Sequence, residues 1–272
     1  MTLRGLTAAG VLAAAGAAWA QPVDVFDGFV DGGVTLTSAG VPTGGNYSAP
    51  SVPAGRRSVT FFNSNGSGEL VIDAAAGEVR FDTTGLGQFT VAYGWQVVSG
   101  GAGMVNSYPN RLDADWSDVA AIRIPVLRNG SSLRYRVDVG TQRIATEPDP
   151  FEGSSSTALT TVGGGFTGVI DVPLSAFSTT TGGGVDWSDV DRVSIFVSNG
   201  FVSSDLTLGA IQLVRATAPE DLDGDGAVGA SDLALLIGSW GVCPADAPCP
   251  ADLDGDGAVG ASDLARVIGA WG

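Results

Sequence analysis

Eight aspartates near the end of the chain fall in two runs of identical sequence. DLDGDGAVGASD occupies Asp221 to Asp232 and recurs, 31 residues on, from Asp252 to Asp263. Counted from the first Asp of each run, carboxylates stand at positions 1, 3, 5 and 12, and glycine at position 6. Ca2+ is a hard cation that takes six to eight oxygens at about 2.3–2.6 Å, and this is the spacing of a twelve-residue calcium loop. Alternate residues of a tight turn aim their carboxylates inward, and Gly226 and Gly257 permit the bend. The expected ligands are Asp221, Asp223, Asp225, the backbone carbonyl of Ala227, and Asp232 in the first loop. In the second they are Asp252, Asp254, Asp256, the carbonyl of Ala258, and Asp263. Position 9 is glycine in both loops (Gly229, Gly260), so a water is expected there. Asp at position 12 is shorter than the usual Glu; it is expected to bind through one oxygen and to weaken the site.

The loops must be held by the segments on their C-terminal side. Leu233, Leu236, Ile237 and Trp240 lie at i, i+3, i+4 and i+7, and Leu264, Val267, Ile268 and Trp271 copy that spacing. Each set predicts one apolar face of a short helix. A unit is then one loop and one helix, without the leading helix of a full EF-hand. Neither can bury its stripe alone, so the two are expected to pack together.

This duplicated pattern resembles the dockerin family, F-hand calcium modules that plug a secreted protein into a cohesin receptor. The resemblance covers Pro219 to Gly272. It implies two calcium ions and a cohesin-like or cell-surface partner, met through loop positions 10 and 11: Ala230 and Ser231, Ala261 and Ser262. Because both units carry the same pair, either could face the partner after a half-turn. Many dockerins have Asn at positions 3 and 9, where this chain has Asp and Gly, and each helix here runs into a Trp-Gly pair. The chain looks like a variant anchoring module.

The chain's two cysteines, Cys243 and Cys249, both lie between the loops. In an exported chain such a pair is expected to form a disulfide. The alternative, a two-thiol metal or redox site, lacks supporting His and the CxxC spacing. Residues 1–20 read as an export signal: Arg4, an apolar stretch from Leu6 to Ala18, and the small-x-small site Ala18-Trp19-Ala20. The apolar run is too short for a membrane span, which needs about 20 residues, and no later segment qualifies. A secreted or cell-surface location is expected. The chain has 13 Arg, no Lys, no His and 29 acidic residues, for a net charge of −16. That balance argues against nucleic acid, whose phosphates are met by cationic side chains. Ten acids and one Arg in the tail account for −9 of it, leaving −7 elsewhere. Calcium would neutralise much of the tail charge, so folding and ion binding are expected to be one event there.

Residues 21–217 predict a mainly β domain, a sandwich of jelly-roll type, ahead of the small helical two-loop domain at 218–272. Strand-like runs recur at Arg57–Phe62, Glu69–Ile72, Glu78–Phe81, Phe89–Val98, Ala120–Leu127, Ser132–Val139, Thr167–Val172, Arg192–Val197 and Leu206–Val214, with Gly-, Ser- and Thr-rich turns between them. The phrase Asp-Trp-Ser-Asp-Val occurs at Asp115–Val119 and again at Asp186–Val190. Each copy reads as an Asp-capped turn leading into a strand, with its Trp against the sandwich rim. The order of segments, from Val25-Phe26-Asp27-Gly28-Phe29 to Leu206–Val214, resembles jelly-roll carbohydrate-binding and galactose-binding-like modules. Such modules often hold a calcium between acids of the first and last strands. Asp24 and Asp27 are present, but Gly209-Ala210 stand where the other acids belong, and no third site is assigned.

Without histidine the chain cannot build Ser-His-Asp or Cys-His catalysis or a His-ligated zinc site. A glycosidase with two carboxylates has few Glu candidates: Glu69, Glu78, and Glu147 with Glu152 in an acidic loop that also holds Asp149. No catalytic residue is assigned. Sugar rings stack on flat aromatic faces, and Tyr93 and Trp95, two apart and so on one face of a strand, with Tyr108 in the following Gly-rich loop, are the candidate glycan contacts. The expected protein is a secreted calcium-binding chain whose anchoring module carries a glycan-binding sandwich. The alternatives are a hydrolase or lyase of polysaccharide breakdown and a purely structural matrix component.

Overall fold

The computed structural model describes residues 23–97, 104–106, 111–141, 153–199, 203–244 and 246–272. The export signal, Tyr108, Glu147, Asp149 and Glu152 lie outside the described residues. Val23–Ala216 forms one compact unit, and Thr217–Gly272 belongs to a second.

The first unit is built of strands β1 (Val23–Asp27), β2 (Val34–Ser38), β3 (Thr43–Ser48), β4 (Arg56–Asn63), β5 (Gly68–Asp73), β6 (Glu78–Thr83), β7 (Gly87–Tyr93), β8 (Trp95–Val97) and β9 (Met104–Asn106). The chain continues through β10 (Val119–Asn129), β11 (Leu133–Thr141), β12 (Gly153–Ser156), β13 (Thr160–Val162), β14 (Gly168–Pro173), β15 (Ser178–Gly182), β16 (Arg192–Ser198), β17 (Ser204–Leu208) and β18 (Ile211–Arg215). One sheet has the order β1-β18-β10-β17-β6-β5-β2, with β14 also pairing β10. The other runs β15-β12-β11-β16-β7-β4-β3, with β13 also pairing β11. The alternating inward side chains of both sheets merge into a single core that includes Ile72, Phe81, Ile122 and Leu206 from the first and Phe61, Val91, Val137 and Ile195 from the second. This is a two-layer sandwich.

Each expected strand is present, with two changes. Phe89–Val97 is broken at Gly94, and the Leu206–Val214 run is two strands, β17 and β18. Strands β2, β3, β12, β13 and β15 have no counterpart among the strand-like runs of the sequence. Their sequences (VTLTS, TGGNYS, GSSS, TTV and STTTG) carry few apolar residues. Most of them close sheet edges, where little surface is buried and hydroxyl side chains suffice.

The two Asp-Trp-Ser-Asp-Val phrases are Asx turns, and they sit side by side. Asp115 Oδ1 accepts the Ser117 N–H at 2.9 Å, and Asp186 Oδ1 accepts that of Ser188 at 3.0 Å. The Trp116 N–H donates to the Trp187 carbonyl at 2.7 Å. Trp116 is buried against Phe26, and the partly buried Trp187 meets Phe177 edge-on. Both indoles serve packing.

Acids at the first strand are matched by arginine. Asp24 on β1 accepts from Arg215 on β18 at 2.7 Å. Asp27 is fully buried, and Arg57 on β4 grips both of its oxygens at 2.5 Å. The Tyr93 hydroxyl on β7 donates to the same carboxylate at 2.6 Å, and the Phe29 N–H at 2.8 Å. One carboxylate thus clasps β1, in one sheet, to β4 and β7 in the other. A buried ion pair with this many hydrogen bonds costs several kcal/mol to break from one side.

Burial first, and then the Asp27 charge, push the Tyr93 phenol well above its usual value. A group whose folded pKa is raised contributes stability below its unfolded pKa, about 10 for tyrosine, and loses it as pH rises further. Unfolding by urea should therefore show stability falling above pH ~10, by up to about 1.4 kcal/mol per pH unit from this group. The Tyr93→Phe chain should be less stable at pH 8 but show a shallower alkaline slope.

Candidate functional site

The second unit contains α1 (Ala230–Gly238), β19 (Gly241–Val242), β20 (Ala258–Val259) and α2 (Ala261–Gly269). Its core is repeated with the sequence: Val228 and Val259, Leu236 and Val267, with Leu222, Leu233, Leu253 and Leu264 around them. The expected helical stripes are only half used. Ile237, Trp240, Ile268 and Trp271 are exposed. Each helix is nine residues long, so its Trp lies beyond the last turn. Loop residues Val228 and Val259 take up the remaining core volume.

The two loops share one internal bonding pattern. Asp221 Oδ1 accepts the N–H of Gly224 at 2.8 Å, and its Oδ2 that of Gly226 at 3.0 Å. Asp252 does the same for Gly255 and Gly257, each at 2.9 Å. Gly226 and Gly257 have φ of 93° and 91°, left-handed geometry that glycine adopts without strain. Asp232 and Asp263 are buried at the first turn of each helix. Asp232 Oδ1 accepts from Leu222 N–H at 2.7 Å and Asp223 N–H at 3.1 Å, and its Oδ2 from Gly229 at 2.7 Å. Asp263 repeats this with Leu253, Asp254 and Gly260. Burial pushes the Asp232 carboxyl up, but the N–H donors of Gly229, Asp223 and Leu222 together outweigh it and hold it below the usual range. The N–H of Gly260 leads the same downward pull on Asp263. Position 12 therefore fastens the loop onto the helix, a role its place in the ligand spacing does not reveal.

One carboxylate oxygen each from Asp221, Asp223 and Asp225 lies within 4.8 Å of the others, and so do single oxygens of Asp252, Asp254 and Asp263. Oxygens bound to one Ca2+ lie no more than about 5 Å apart. Both loops thus fit the ion in donor chemistry, charge and span. Asp113, Asp189 and Asp191 also converge, but Arg111 lies within 4.0 Å of Asp113 and Asp191, as in an ion-paired cluster. Ala230, Ser231, Ala261 and Ser262 stand at the first turns of the two helices. Cys243 and Cys249 form a disulfide.

The aromatic candidates separate. Tyr93 is fully buried in the core and cannot stack on a ligand; its proximity to Trp95 in sequence is misleading because Gly94 ends β7 with φ 71° and breaks the alternation. A Cβ at Gly94 would stand 2.0 Å from the Asp191 carbonyl, so only glycine lets the chain turn there. Trp95 lands on the outer face of the second sheet. Ser58 Oγ donates to its carbonyl at 2.6 Å, and Asn46 ties down Val97 at 2.8 Å.

Trp95 lines a groove of about 770 Å³ with Arg136, Asp138, Ser154, Thr180, Thr181, Arg192 and Ser194. The Arg192 guanidinium lies 4.9 Å from the Trp95 ring centre. It occupies the space where a side chain on Gly140 would fall, 2.3 Å from such a Cβ. Burial pulls it below its ordinary pKa, against the charges of Asp191 and Asp138. Arg136 pairs with Asp138 at 3.0 Å. The Ser154 hydroxyl lies 2.7 Å from that of Thr180 and 2.6 Å from that of Thr181. Period two in Leu133-Arg-Tyr-Arg-Val-Asp-Val was the available signal for this wall: Leu133, Val137 and Val139 are buried, so Arg136 and Asp138 face outward. Nothing in the sequence brings Ser154, Thr180 and Arg192 to the same place.

Fold and loops together define a β-sandwich joined to a duplicated calcium-loop module. Residues 219–270 are a dockerin type I domain, and dockerin domains bind calcium. No curated protein matches the chain. Among solved structures, a family 11 carbohydrate-binding module from Clostridium thermocellum, in complex with a β-1,3-1,4-mixed-linked tetrasaccharide, is similar at 15% identity and a TM-score of 0.40. That match covers 71% of this chain and 96% of the module. A family 11 module of a cellulosomal cellulase of the same organism is similar at 14% identity and a TM-score of 0.39, covering 72% and 96%. An agarase is similar at 12% identity and a TM-score of 0.34, covering 60% of this chain and 24% of the agarase. None of the described helices is long and apolar enough to cross a membrane.

Gly94→Ala should cost at least about 2 kcal/mol in urea denaturation, because the new methyl combines a left-handed backbone with a backbone clash.

Proposed function

We propose that the protein is a secreted, calcium-dependent adaptor. Its dockerin module folds around two ions and docks to a cohesin-like or cell-surface receptor through the helix starts at Ala230-Ser231 and Ala261-Ser262. Its sandwich holds a polysaccharide in the Trp95 groove. The observation that carries this reading is the groove itself. An indole stands beside two guanidinium groups, a carboxylate and a row of hydroxyls, the combination that meets a sugar's apolar ring face and its hydroxyl rim. Among the described residues lining the groove, Asp138 is the one carboxylate, and Arg136 engages it.

Affinity electrophoresis in gels containing mixed-linked β-glucan or other soluble polysaccharides tests the groove. Retardation of the native chain should vanish in Trp95→Ala, a loss of roughly 2 kcal/mol or more if this ring is the anchor. Unchanged retardation of the variant, or none for the native chain on any polysaccharide, rejects the reading. For the module, calcium should raise the helical circular dichroism of the native chain, and Asp223→Ala with Asp254→Ala should abolish the rise. Identical spectra with calcium and with chelator would contradict it.

A further inference from the structure

The two loops have one sequence and one internal bonding pattern, but they do not have the same neighbours. Residues Gly241–Cys243 and Cys249 hold the second loop at its start and at its middle. Gly241 pairs with Val259 and Val242 with Ala258 in the β19–β20 ladder. The Cys243 N–H donates to the Gly257 carbonyl at 2.9 Å, and the Cys249 carbonyl accepts the Asp252 N–H at 3.1 Å. Cys243 Sγ lies 3.6 Å from Asp252 Oδ2. Positions 1, 6 and 7 of the second loop are therefore each held from outside, and the Cys243–Cys249 bond joins the holding residues to one another. Both cysteines also pack against the module core. At the matching place before the first loop, the Asp221 N–H donates to the carbonyl of Ala218 at 2.9 Å, and alanine can form no such bond.

We propose that the cystine-closed turn is a brace for the second calcium loop, so that two loops identical over twelve residues bind the ion unequally. The second is the tighter and is sensitive to thiol reduction; the first is the weaker and is indifferent to it. The inference rests on the calcium reading above. A dithiol opens the bond by thiol–disulfide exchange: it leaves as its own cyclic disulfide while Cys243 and Cys249 become thiols. The turn's ends are then free to part, and Asp252 and Gly257 lose partners whose positions were tied together. Losing groups that orient metal ligands costs roughly ten- to a hundredfold in affinity.

The test is a calcium titration of the full-length chain labelled with 15N, following the amide signals of Gly226 and Gly257, which report the two loops separately. It is run oxidised, after dithiothreitol, and on C243S/C249S. Calorimetry gives the number of ions. In the oxidised chain Gly257 should saturate before Gly226. Reduction, or the double substitution, should shift the Gly257 midpoint up by roughly tenfold or more and move the Gly226 midpoint by less than about twofold. A Gly257 midpoint that stays put, or two midpoints that move together as from a general loosening, overturns the brace while leaving calcium binding intact. An oxidised chain that takes up no calcium overturns the calcium reading itself.

Discussion

An excess of carboxylate that must be neutralised within the fold constrains this chain throughout. With 29 acids against 13 arginines and no lysine, charge cannot be balanced residue by residue. In the sandwich, Arg57 lies against Asp27 in the core and Arg215 against Asp24 and Asp118 at its margin. In the calcium module the available cation is Arg266, which pairs with Glu220. There the aspartates bond to backbone N–H groups, and the rest of their charge is left for a divalent ion. A carboxylate that accepts two or three N–H bonds is stabilised as an anion, so Asp232 and Asp263 can be buried and still hold the loops shut.

The clasp at Asp27 matters because it crosses the sandwich. Tyr93 and Arg57 lie on neighbouring regions of the sheet that carries the groove, and Asp27 is on the other sheet. The residue after Tyr93 is Gly94, and the residue after that is Trp95. One tyrosine committed to the core and one half-buried indole that lines the groove are separated by a single glycine that backs onto Asp191. Gly140 makes room for the arginine that lies over the indole.

Duplication has different consequences in the two units. The Asp-Trp-Ser-Asp-Val turns pair with each other through Trp116 and Trp187 and join the strands they lead into. The calcium loops share the same internal hydrogen bonds, yet a cystine stands beside one of them. Identical sequence therefore specifies identical local geometry without specifying identical surroundings.

Much of this was legible from residue types alone. Ligand spacing is local, so the calcium loops could be read from Asp and Gly positions, and most strands from apolar alternation. The stripe through Leu233 and Leu236 located the helices but overstated their burial, since a nine-residue helix ends before Trp240. Tertiary structure alone decided the remainder. Polar strands such as GSSS, inside the second sheet, and STTTG, at its edge, are held by partners rather than by their own propensity. The separation of Tyr93 from Trp95 depends on a carbonyl contributed by Asp191, nearly a hundred residues away in the chain. The groove gathers Trp95, Arg136, Ser154 and Arg192 from four strands, and no local rule of sequence measures a distance between strands that only the packed sheet brings together.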